Sequence, residues 1–315
     1  MSRKNSHFST WRERVAHTRI LVAGDAMLDR YWFGDVERIS PEAPVPIVRI
    51  ARTEERPGGA ANVARNAAAL GAATTLLAVT GADEAGATLE RLLADDRVQI
   101  SFHRDPTLPT TVKLRVVSRQ QQLLRIDFET TPSNEVLATK LADFDRLLAA
   151  TDLLILSDYG KGALAHVATM IERARAAGKP VLVDPKGDEW DKYRGATVIT
   201  PNRGEFRTVV GRWRDDAEMN AKAQKLRSDL GATALLVTRS EEGMSVYTAD
   251  GTDDIPAVAR EVYDVSGAGD TVIATLGVMI GAGADLHSAV RIANQAAGVV
   301  VGKLGTAVVS PDELA

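Results

Sequence analysis

Short apolar runs alternate with longer amphipathic runs along most of this chain. The short runs predict six buried strands, over residues 19–24, 74–80, 153–157, 181–184, 197–200 and 234–238. The longer runs predict seven helices, over residues 60–70, 84–94, 134–149, 164–177, 217–230, 268–280 and 286–302. Because strands that are apolar throughout are buried on both faces, the pattern predicts an α/β fold. We expect a doubly wound, mostly parallel sheet with helices on both faces.

Two segments break this rhythm and predict a second, smaller β structure. Residues 31–57 contain four prolines and an extended stretch, and residues 110–129 alternate apolar and charged positions like a hairpin. We expect a small antiparallel β lid formed by insertions at approximately residues 31–57 and 101–130; a pair of surface loops is the alternative. Residues 1–17 are polar and predict a loose tail or a short first helix. With no repeat or linker, residues 1–315 are interpreted as one domain.

Composition excludes several classes of function. The 315 residues include no cysteine, which rules out disulfides and thiolate metal sites, and the net charge of -4 gives no reason to expect nucleic acid. The amino-terminal stretch lacks the apolar region of a signal peptide, and no apolar run reaches transmembrane length. We therefore expect a cytoplasmic protein without a membrane partner.

The most distinctive polar feature lies where the helix predicted over residues 268–280 begins. Gly267, Ala268 and Gly269 stand at its start, and Asp270 lies in its first turn. The first N–H groups of a helix lack partners within it, and the helix dipole adds positive potential there. Such an end binds anions, and a carboxylate beside an anion is what phosphoryl transfer to a hydroxyl requires. A capped helix start is the plainer interpretation of this segment by itself.

Acidic side chains follow the first predicted strand. Asp25 and Asp29 lie just beyond its carboxyl end, the edge at which open α/β sheets bind ligands. Asp29 is suited to holding sugar hydroxyls, whereas a turn capped by both acids is the plainer alternative. The segment has no G-x-G-x-x-G pattern, so a dinucleotide fingerprint is missing where one would be expected.

The helix predicted over residues 60–70 begins with small residues that permit close approach to the backbone. Gly58 and Gly59 precede it, and Asn62 offers both a donor and an acceptor to a polyol. Arg65 lies one turn further on and would share a face with Asn62. A tight turn that feeds a small-residue helix explains the same residues without a ligand.

Three later strand ends also carry polar groups. Lys186 follows the fourth predicted strand, and Asn202 and Glu205 offer oxygen ligands that suit Mg²⁺, usually through water. The same pair would form an amino-terminal capping box, the simpler interpretation. The segment from Thr238 to Gly243 is a polar turn and a candidate nucleotide contact. Each plain alternative is reasonable alone, but five such ends on one sheet together indicate a binding edge.

Three motifs together resemble those of the PfkB, or ribokinase-like, carbohydrate kinases over nearly the whole chain. D-x-x-G-A-G-D occurs at residues 264–270, G-G-x-x-N at residues 58–62 and N-x-x-E at residues 202–205, in family order. Ser266 replaces the threonine often found at its position. The resemblance implies a ribokinase-like fold, ATP as phosphoryl donor and Mg²⁺ as metal, and it leaves activation by a monovalent cation open.

The resemblance also assigns roles to residues. Asp270 would be the catalytic base, and the N–H groups of residues 267–269 would stabilise the transferring group. Mg²⁺ would be held by Asn202 and Glu205, directly or through water. Nucleotide contacts would come from Lys186, Asn202, Arg203, Gly204, Glu205, Thr238, Gly243 and Asn294. Sugar phosphate contacts would come from Asp29, Gly58, Gly59, Asn62, Arg65, Lys113, Arg115, Arg119 and Arg125, although a solvated strand face is an equal alternative for each lid arginine.

Several stretches are similar to one branch of that family, the kinases of D-glycero-β-D-manno-heptose 7-phosphate. They cover residues 28–32, 38–46, 55–64, 113–128 and 261–271. The similarity implies ATP-dependent phosphorylation of the anomeric hydroxyl to give the 1,7-bisphosphate, for ADP-heptose and the lipopolysaccharide core. A PfkB-type kinase for another sugar phosphate, ribose or a nucleoside is an alternative, as is a non-catalytic sugar or nucleotide sensor.

Two expectations concern assembly. Some members of the branch carry a nucleotidyltransferase domain after the kinase, and residues 310–315 end where that domain would begin. We therefore expect the stand-alone kinase form. Exposed strand edges in the lid favour pairing between two copies, so a homodimer built through the lid is predicted.

Overall fold

The computed structural model describes residues 8–119, 121–258 and 262–314. In that part of the chain the strands are β1 (Arg19–Gly24), β2 (Ala26–Ile39), β3 (Pro46–Gly59), β4 (Ala73–Gly81), β5 (Gln99–Asp105), β6 (Val112–Ser118), β7 (Gln121–Phe128), β8 (Leu153–Ser157), β9 (Val181–Asp184), β10 (Val198–Ile199), β11 (Ala234–Thr238), β12 (Met244–Thr248) and β13 (Gly251–Ile255). The helices are α1 (Arg12–Ala16), α2 (Ala60–Ala69), α3 (Glu84–Asp95), α4 (Asn134–Ala149), α5 (Val167–Ala176), α6 (Arg203–Val210), α7 (Asp216–Asp229), α8 (Ala268–Gly281) and α9 (Leu286–Val300).

The main sheet has nine strands in the order β13-β12-β11-β10-β9-β8-β1-β4-β5. All neighbours pair in parallel except β11 with β12 and β12 with β13, which are antiparallel. The chain runs outward from β1 to one edge and from β8 to the other. The crevice beyond the carboxyl ends of β1 and β8 is therefore the switch point at which such sheets bind ligands.

Helices cover both faces of this sheet, as the apolar strands predicted. Ile20 and Val22 of β1 pack into one apolar cluster, and Leu21 and Ala23 pack into the cluster on the opposite face. The predicted doubly wound α/β fold is confirmed. Helix α8 is buried over ten consecutive residues from Asp270 onward, so an acid in its first turn is unusual and costly.

A second sheet of four strands, in the order β3-β2-β6-β7, forms the predicted lid. Strands β2 and β3 form one antiparallel hairpin and β6 and β7 form another, while β2 and β6 pair in parallel where the hairpins join. The lid begins earlier than expected, at Ala26. Its second arm begins later, at Val112, because β5 pairs with β4 in the main sheet instead.

Elements at the edges of the fold differ most from the expectation. Strands β5, β12 and β13 were not predicted; β5 and β13 are only partly buried, so their patterns lack a continuous apolar run. From Phe8 onward the chain forms the short first helix that was one of the two expectations: α1 follows a short 3₁₀ turn, and Phe8, Trp11 and Val15 are buried. Residues 1–7 lie outside the described part. Among the described helices, none is long and apolar enough to cross a membrane.

Candidate active site

Asp270 lies buried at the switch point, held by two hydrogen bonds. Its Oδ1 accepts from the Tyr159 hydroxyl at 2.7 Å, and its Oδ2 accepts from Asn62 Nδ2 at 2.7 Å. Only 4% of Asp270 is exposed, and this burial raises the pKa of its carboxyl to about 6. The two donors lower the pKa, and the nearby carboxylate of Asp29 raises it. A carboxylate with that pKa is ionised at neutral pH and is a competent base.

The turn before Asp270 is built from residues that keep space open. Gly267, the N-cap of α8, has a φ of 76°, and a Cβ there would lie 2.7 Å from Asn62 Nδ2. A Cβ on Gly269 would meet nothing within 4 Å, so the backbone at this residue is open to a ligand. The N–H of Ala268 donates to Val265 O at 3.2 Å. One of the three donors expected to hold a phosphoryl group is thus already engaged within the turn.

Two cavities meet at this turn. The larger has a volume of about 520 Å³ and is mostly apolar, and Gly243, Ala268 and Asn294 lie in its wall. The smaller, of about 220 Å³, contains Asp270. Asn202, Thr238 and Gly269 border both. The larger cavity has the size of a typical small-molecule site, and the shared border places the glycine turn between this cavity and Asp270.

The smaller cavity has an acidic wall. Asp158 accepts from Lys192 Nζ at 2.8 Å and from the Tyr193 hydroxyl at 2.6 Å, while Asp184 at the end of β9 also faces the cavity. Burial, followed by the carboxylates of Asp270 and Glu205, raises the pKa of Asp184 well above its ordinary value. Crowded carboxylates of this kind are relieved by a bound cation or by protonation.

Asn202 and Glu205 form the capping box that was the simpler interpretation. Asn202 Oδ1 accepts from the Glu205 N–H at 2.9 Å, and Glu205 Oε2 accepts from the Asn202 N–H at 3.0 Å. Glu205 Oε1 receives Lys186 Nζ at 2.9 Å. Among the described residues no cluster of three acidic or histidine groups could hold a metal by itself. Asn202 and Glu205 thus offer oxygen atoms that could meet the water shell of a cation, and most ligands of such a cation would have to come from elsewhere.

The lid supplies the other side of the site. Arg115 donates to Asp29 Oδ1 at 2.6 Å, and Gly58 approaches so closely that a Cβ there would lie 2.4 Å from Asp29 Oδ2. The Lys113 ammonium lies 5.5 Å from the centre of the Tyr159 ring. Burial lowers the pKa of Lys113, and Asp29 opposes that shift. Lys113 is thus a partly desolvated cation beside Asp270, suited to an anionic ligand.

Several candidates from the sequence do not join this group. Arg65 instead pairs with Asp96 at 2.7 Å and borders a separate cavity of about 440 Å³. Arg125 pairs with Asp127 at 2.9 and 3.0 Å, and Arg119 is exposed at the tip of the β6–β7 hairpin. Arg203 pairs with Glu242 at 2.6 Å. Neither Arg203 nor Gly204 borders the two cavities around the glycine turn, whereas Lys186, Thr238, Gly243 and Asn294 do.

The sequence interpretation missed the segment that follows β8. Tyr159, which bonds to Asp270, lies there, and so does Lys161, which pairs with Glu129 at the end of the lid. Asp25 also acts here, since its carboxylate accepts backbone N–H groups of Tyr159 and Lys161 at 2.8 and 3.0 Å. The signal was position: Asp158 and Tyr159 directly follow a buried strand, as Asp25 does.

A model of the pfkB family of carbohydrate kinases matches residues 17–313. The chain belongs to this family. Within it, the chain is 57% identical over 303 residues to a protein of Bordetella bronchiseptica named D-beta-D-heptose 7-phosphate kinase, covering 96% of this chain and 97% of that protein. It is 56% identical over 298 residues to the bifunctional protein HldE of Methylococcus capsulatus, covering 94% of this chain and 63% of that longer protein.

Solved structures of a phosphofructokinase and a ribokinase share the fold. Phosphofructokinase-2 of Escherichia coli in complex with potassium matches with a TM-score of 0.78 at 19% identity, over 94% of this chain and 96% of that one. Ribokinase of Arabidopsis thaliana complexed with ribose and ATP matches with a TM-score of 0.73 at 19% identity, over 94% and 95%. The expected family and its ribokinase-like fold are thus confirmed, and the protein is a sugar kinase.

Proposed function

We propose that this protein transfers the γ-phosphoryl group of ATP to the anomeric hydroxyl of D-glycero-β-D-manno-heptose 7-phosphate. The product is the 1,7-bisphosphate, an intermediate for ADP-heptose and the lipopolysaccharide core. The observation that carries the substrate is the 57% identity, over nearly both full lengths, with a protein named for that activity. Such a reaction needs no membrane and no nucleic acid, and we place it in the cytoplasm.

The chemistry follows from the position of Asp270. The anomeric oxygen forms a bond to the γ-phosphorus while the bond from that phosphorus to the ADP oxygen breaks, and the proton of the anomeric hydroxyl passes to Asp270. A positioned base of this kind contributes roughly 10²–10⁴-fold in rate. The open backbone at Gly269 lets the transferring group approach the positive end of α8. Positioning matters as much as the base, because phosphoryl transfer depends on in-line geometry.

Each co-substrate has a matching region of the site. The cavity of about 520 Å³, with Asn294 and Gly243 in its wall, binds the adenosine part of ATP. The phosphates of ATP extend from there to the glycine turn. Asn202 and Glu205 would hold Mg²⁺ through its water shell, and the ion would supply positive charge to the phosphates of ATP. Comparing potassium with tetramethylammonium salts would measure any activation by a monovalent cation.

The sugar side of the site is lined by Asp29 and Lys113. Asp29 accepts hydrogen bonds from hydroxyl groups of the heptose, and its ion pair with Arg115 fixes the orientation of its carboxylate. Lys113 is the lid cation whose charge acts on the Asp270 carboxyl, and we assign it to the 7-phosphate. Its positive charge would offset the negative charge that a bound phosphate adds beside Asp270 and Asp29.

The homodimer is part of the same proposal. Leu124, Ile126 and Phe128 on β7 are 53%, 38% and 48% exposed, and together they form an apolar strip at the edge of the lid sheet. An exposed apolar edge strand is a pairing surface, and a second copy of the lid would cover it. Sedimentation of the protein and of Ile126→Lys measures this: the variant is expected to be monomeric.

A substrate panel tests the activity. ATP-coupled turnover should be at least about a hundredfold more efficient, in kcat/KM, with heptose 7-phosphate than with fructose 6-phosphate, ribose or adenosine, because a polar site discriminates strongly against analogues that leave its groups unpaired. Asp270→Asn, which keeps the size of the side chain, serves as the control without a base. Higher efficiency with another acceptor would replace the substrate, and turnover with none would favour a sensor.

A further inference from the structure

A buried lysine outside the active site is linked to the catalytic base by a chain of hydrogen bonds. Lys140 on α4 is 2% exposed, and its Nζ donates to the carbonyl oxygen of Ala163 at 2.6 Å. The Ala163 N–H donates in turn to Asp25 Oδ1 at 2.9 Å. A lysine is rarely buried without function or a partner, and nothing in the proposed reaction uses this one directly.

Asp25 also holds this segment, through hydrogen bonds to its carboxylate. Its Oδ2 accepts the N–H groups of Tyr159 and Lys161, so three backbone donors between residues 159 and 163 converge on one carboxylate. Within this segment Gly160 and Gly162 have φ angles of 69° and 94°, a backbone conformation that favours glycine. A segment of this shape needs external contacts to keep one conformation.

The segment carries two groups that face the site. The Tyr159 hydroxyl donates to Asp270 Oδ1, and Lys161 pairs with Glu129 at the base of the lid. Lys140 and Asp25 therefore both bond to the piece of backbone that orients a donor onto the base. The charge of Lys140 is set by the same arrangement: burial lowers its pKa to about 8, and the Asp25 carboxylate opposes the shift.

We propose that Lys140 is a positioning residue for the kinase reaction, which acts through Ala163 and Asp25 to hold Tyr159 against Asp270. The inference rests on the proposed base role of Asp270. It predicts that the contribution of Lys140 to turnover exists only while Tyr159 has a hydroxyl to donate.

A double-mutant cycle tests this coupling. Lys140→Met removes the donor and keeps an unbranched side chain of similar length; kcat should fall about tenfold with the KM for ATP unchanged, because small misplacements of catalytic groups are costly. In the Tyr159→Phe background the same substitution should lower kcat by less than about twofold. If the two losses multiply instead, Lys140 does not act through Tyr159 and the proposal is wrong.

Leu137→Ala is the matched control. Leu137 borders the same small cavity beside Lys140, of about 10 Å³, and donates no hydrogen bond from its side chain to the segment. It should lower stability in urea while changing kcat equally in both backgrounds. If urea unfolding shows that Lys140→Met does not fold, Asp25→Asn tests the same arrangement, because Asp25 also bonds to residues 159–163. The effects of Asp25→Asn and Tyr159→Phe on kcat must then be non-additive in the same way.

The pH profile gives a second readout that a merely structural role would not move. The groups that face Asp270 are Asn62, Tyr159, Asp29, Lys113 and Asp184. Of these, Tyr159 is the donor whose position depends on the hydrogen bonds that Lys140 and Asp25 make to the segment. Lys140→Met should therefore move the acid limb of kcat/KM upward in the same direction as Tyr159→Phe, and an unmoved limb would overturn the proposal.

Asp270→Asn, measured alongside, separates two kinds of failure. If this variant keeps its turnover, the base role and the proposed mechanism fail. If it is inactive while the losses from Lys140→Met and Tyr159→Phe multiply, the mechanism stands and only the positioning role is lost.

Discussion

Asn62 Nδ2 lies 2.7 Å from Asp270 Oδ2, so the first turns of α2 and α8 meet through one hydrogen bond. Asn62 is fully buried, and its Oδ1 accepts from Asn66 Nδ2 at 3.2 Å. Asn66 also accepts from the Thr271 hydroxyl at 2.9 Å. The glycine-rich start of α2 was interpreted as a sugar contact; this network makes Asn62 a partner of the base as well.

Removing that donor should change the pH dependence of the enzyme. Asn62 stabilises the ionised form of Asp270, so Asn62→Ala should raise the pKa of the carboxyl above about 6. A hydrogen bond to a charged group is worth about 1.5–3 kcal/mol and one pKa unit is 1.36 kcal/mol, so the acid limb of kcat/KM should move up by about one to two pH units. Asn220→Ala is the control, since Asn220 bonds to Tyr247 instead. An unchanged limb in Asn62→Ala would contradict this account.

Neutralising the base should stabilise the protein. Because burial raises the pKa of Asp270 from 3.8 to about 6, the folded state binds a proton more tightly than the unfolded state, and stability falls as pH rises through that window. Above it, the ionised carboxylate costs about 3 kcal/mol. Asp270→Asn should recover up to about that amount of unfolding free energy at pH 8 and almost none at pH 3.5. Urea unfolding at both pH values measures it, and a variant less stable at pH 8 would refute the burial argument.

Much of the fold could be predicted because its signals are local. Strand β1 is apolar at consecutive positions, and α8 combines a glycine start with an unbroken apolar run. The contacts of the site join residues far apart in the chain, so fewer of them could be predicted. Tyr159 reaches Asp270 across 111 positions of the chain, and Lys140 reaches Ala163 through a fold that brings α4 against the segment after β8. Neither contact leaves a periodic signal in the sequence.

The lid also shows that a local sequence pattern does not identify which residues are available to a ligand. The alternation along β6 predicted a charged face, but it gave each cation on that face equal standing. Pairing decides between them: the register sets Lys113 beside Asp29, whereas Arg125 has its own partner in Asp127. Which cation stays available to a ligand depends on contacts between strands, and a single sequence does not encode these visibly.

This difference predicts unequal roles for two lid cations. Lys113→Gln should raise the KM for heptose 7-phosphate about ten- to a hundredfold, the value of one charge-assisted hydrogen bond, and should affect an unphosphorylated heptose much less. Arg119→Gln should leave both unchanged, because Arg119 lies six residues further along the hairpin, about 20 Å at 3.3 Å per residue. Initial-rate kinetics with both acceptors measure this. An equal loss for the two acceptors in Lys113→Gln would mean that Lys113 does not contact the phosphate.

Glu205 can be separated from its structural role as a cap. Glu205→Gln keeps an oxygen for the Asn202 N–H but removes the charge, so α6 should remain stable. If Glu205 serves the hydration shell of Mg²⁺, the Mg²⁺ concentration for half-maximal rate should rise about tenfold. Asp215→Asn, at the capped start of α7, is the control and should leave the metal requirement as it is. If Glu205→Gln shows a normal Mg²⁺ requirement, Glu205 has only the capping role.

Two glycines in one turn should fail in different ways when each is replaced by alanine. At Gly267 the φ of 76° is unfavourable for alanine, and the new Cβ would press on Asn62 Nδ2, so Gly267→Ala should lose about 1–3 kcal/mol of stability and misplace the partner of Asp270. At Gly269 the new Cβ meets open space, so Gly269→Ala should melt like the original protein. Its methyl group would nevertheless enter the space assigned to the transferring phosphoryl group, and kcat/KM should fall by about two orders of magnitude, as for loss of a preorganised donor. Melting curves and initial rates on both variants distinguish the two effects. If Gly269→Ala turns over normally, the phosphoryl group does not approach this turn.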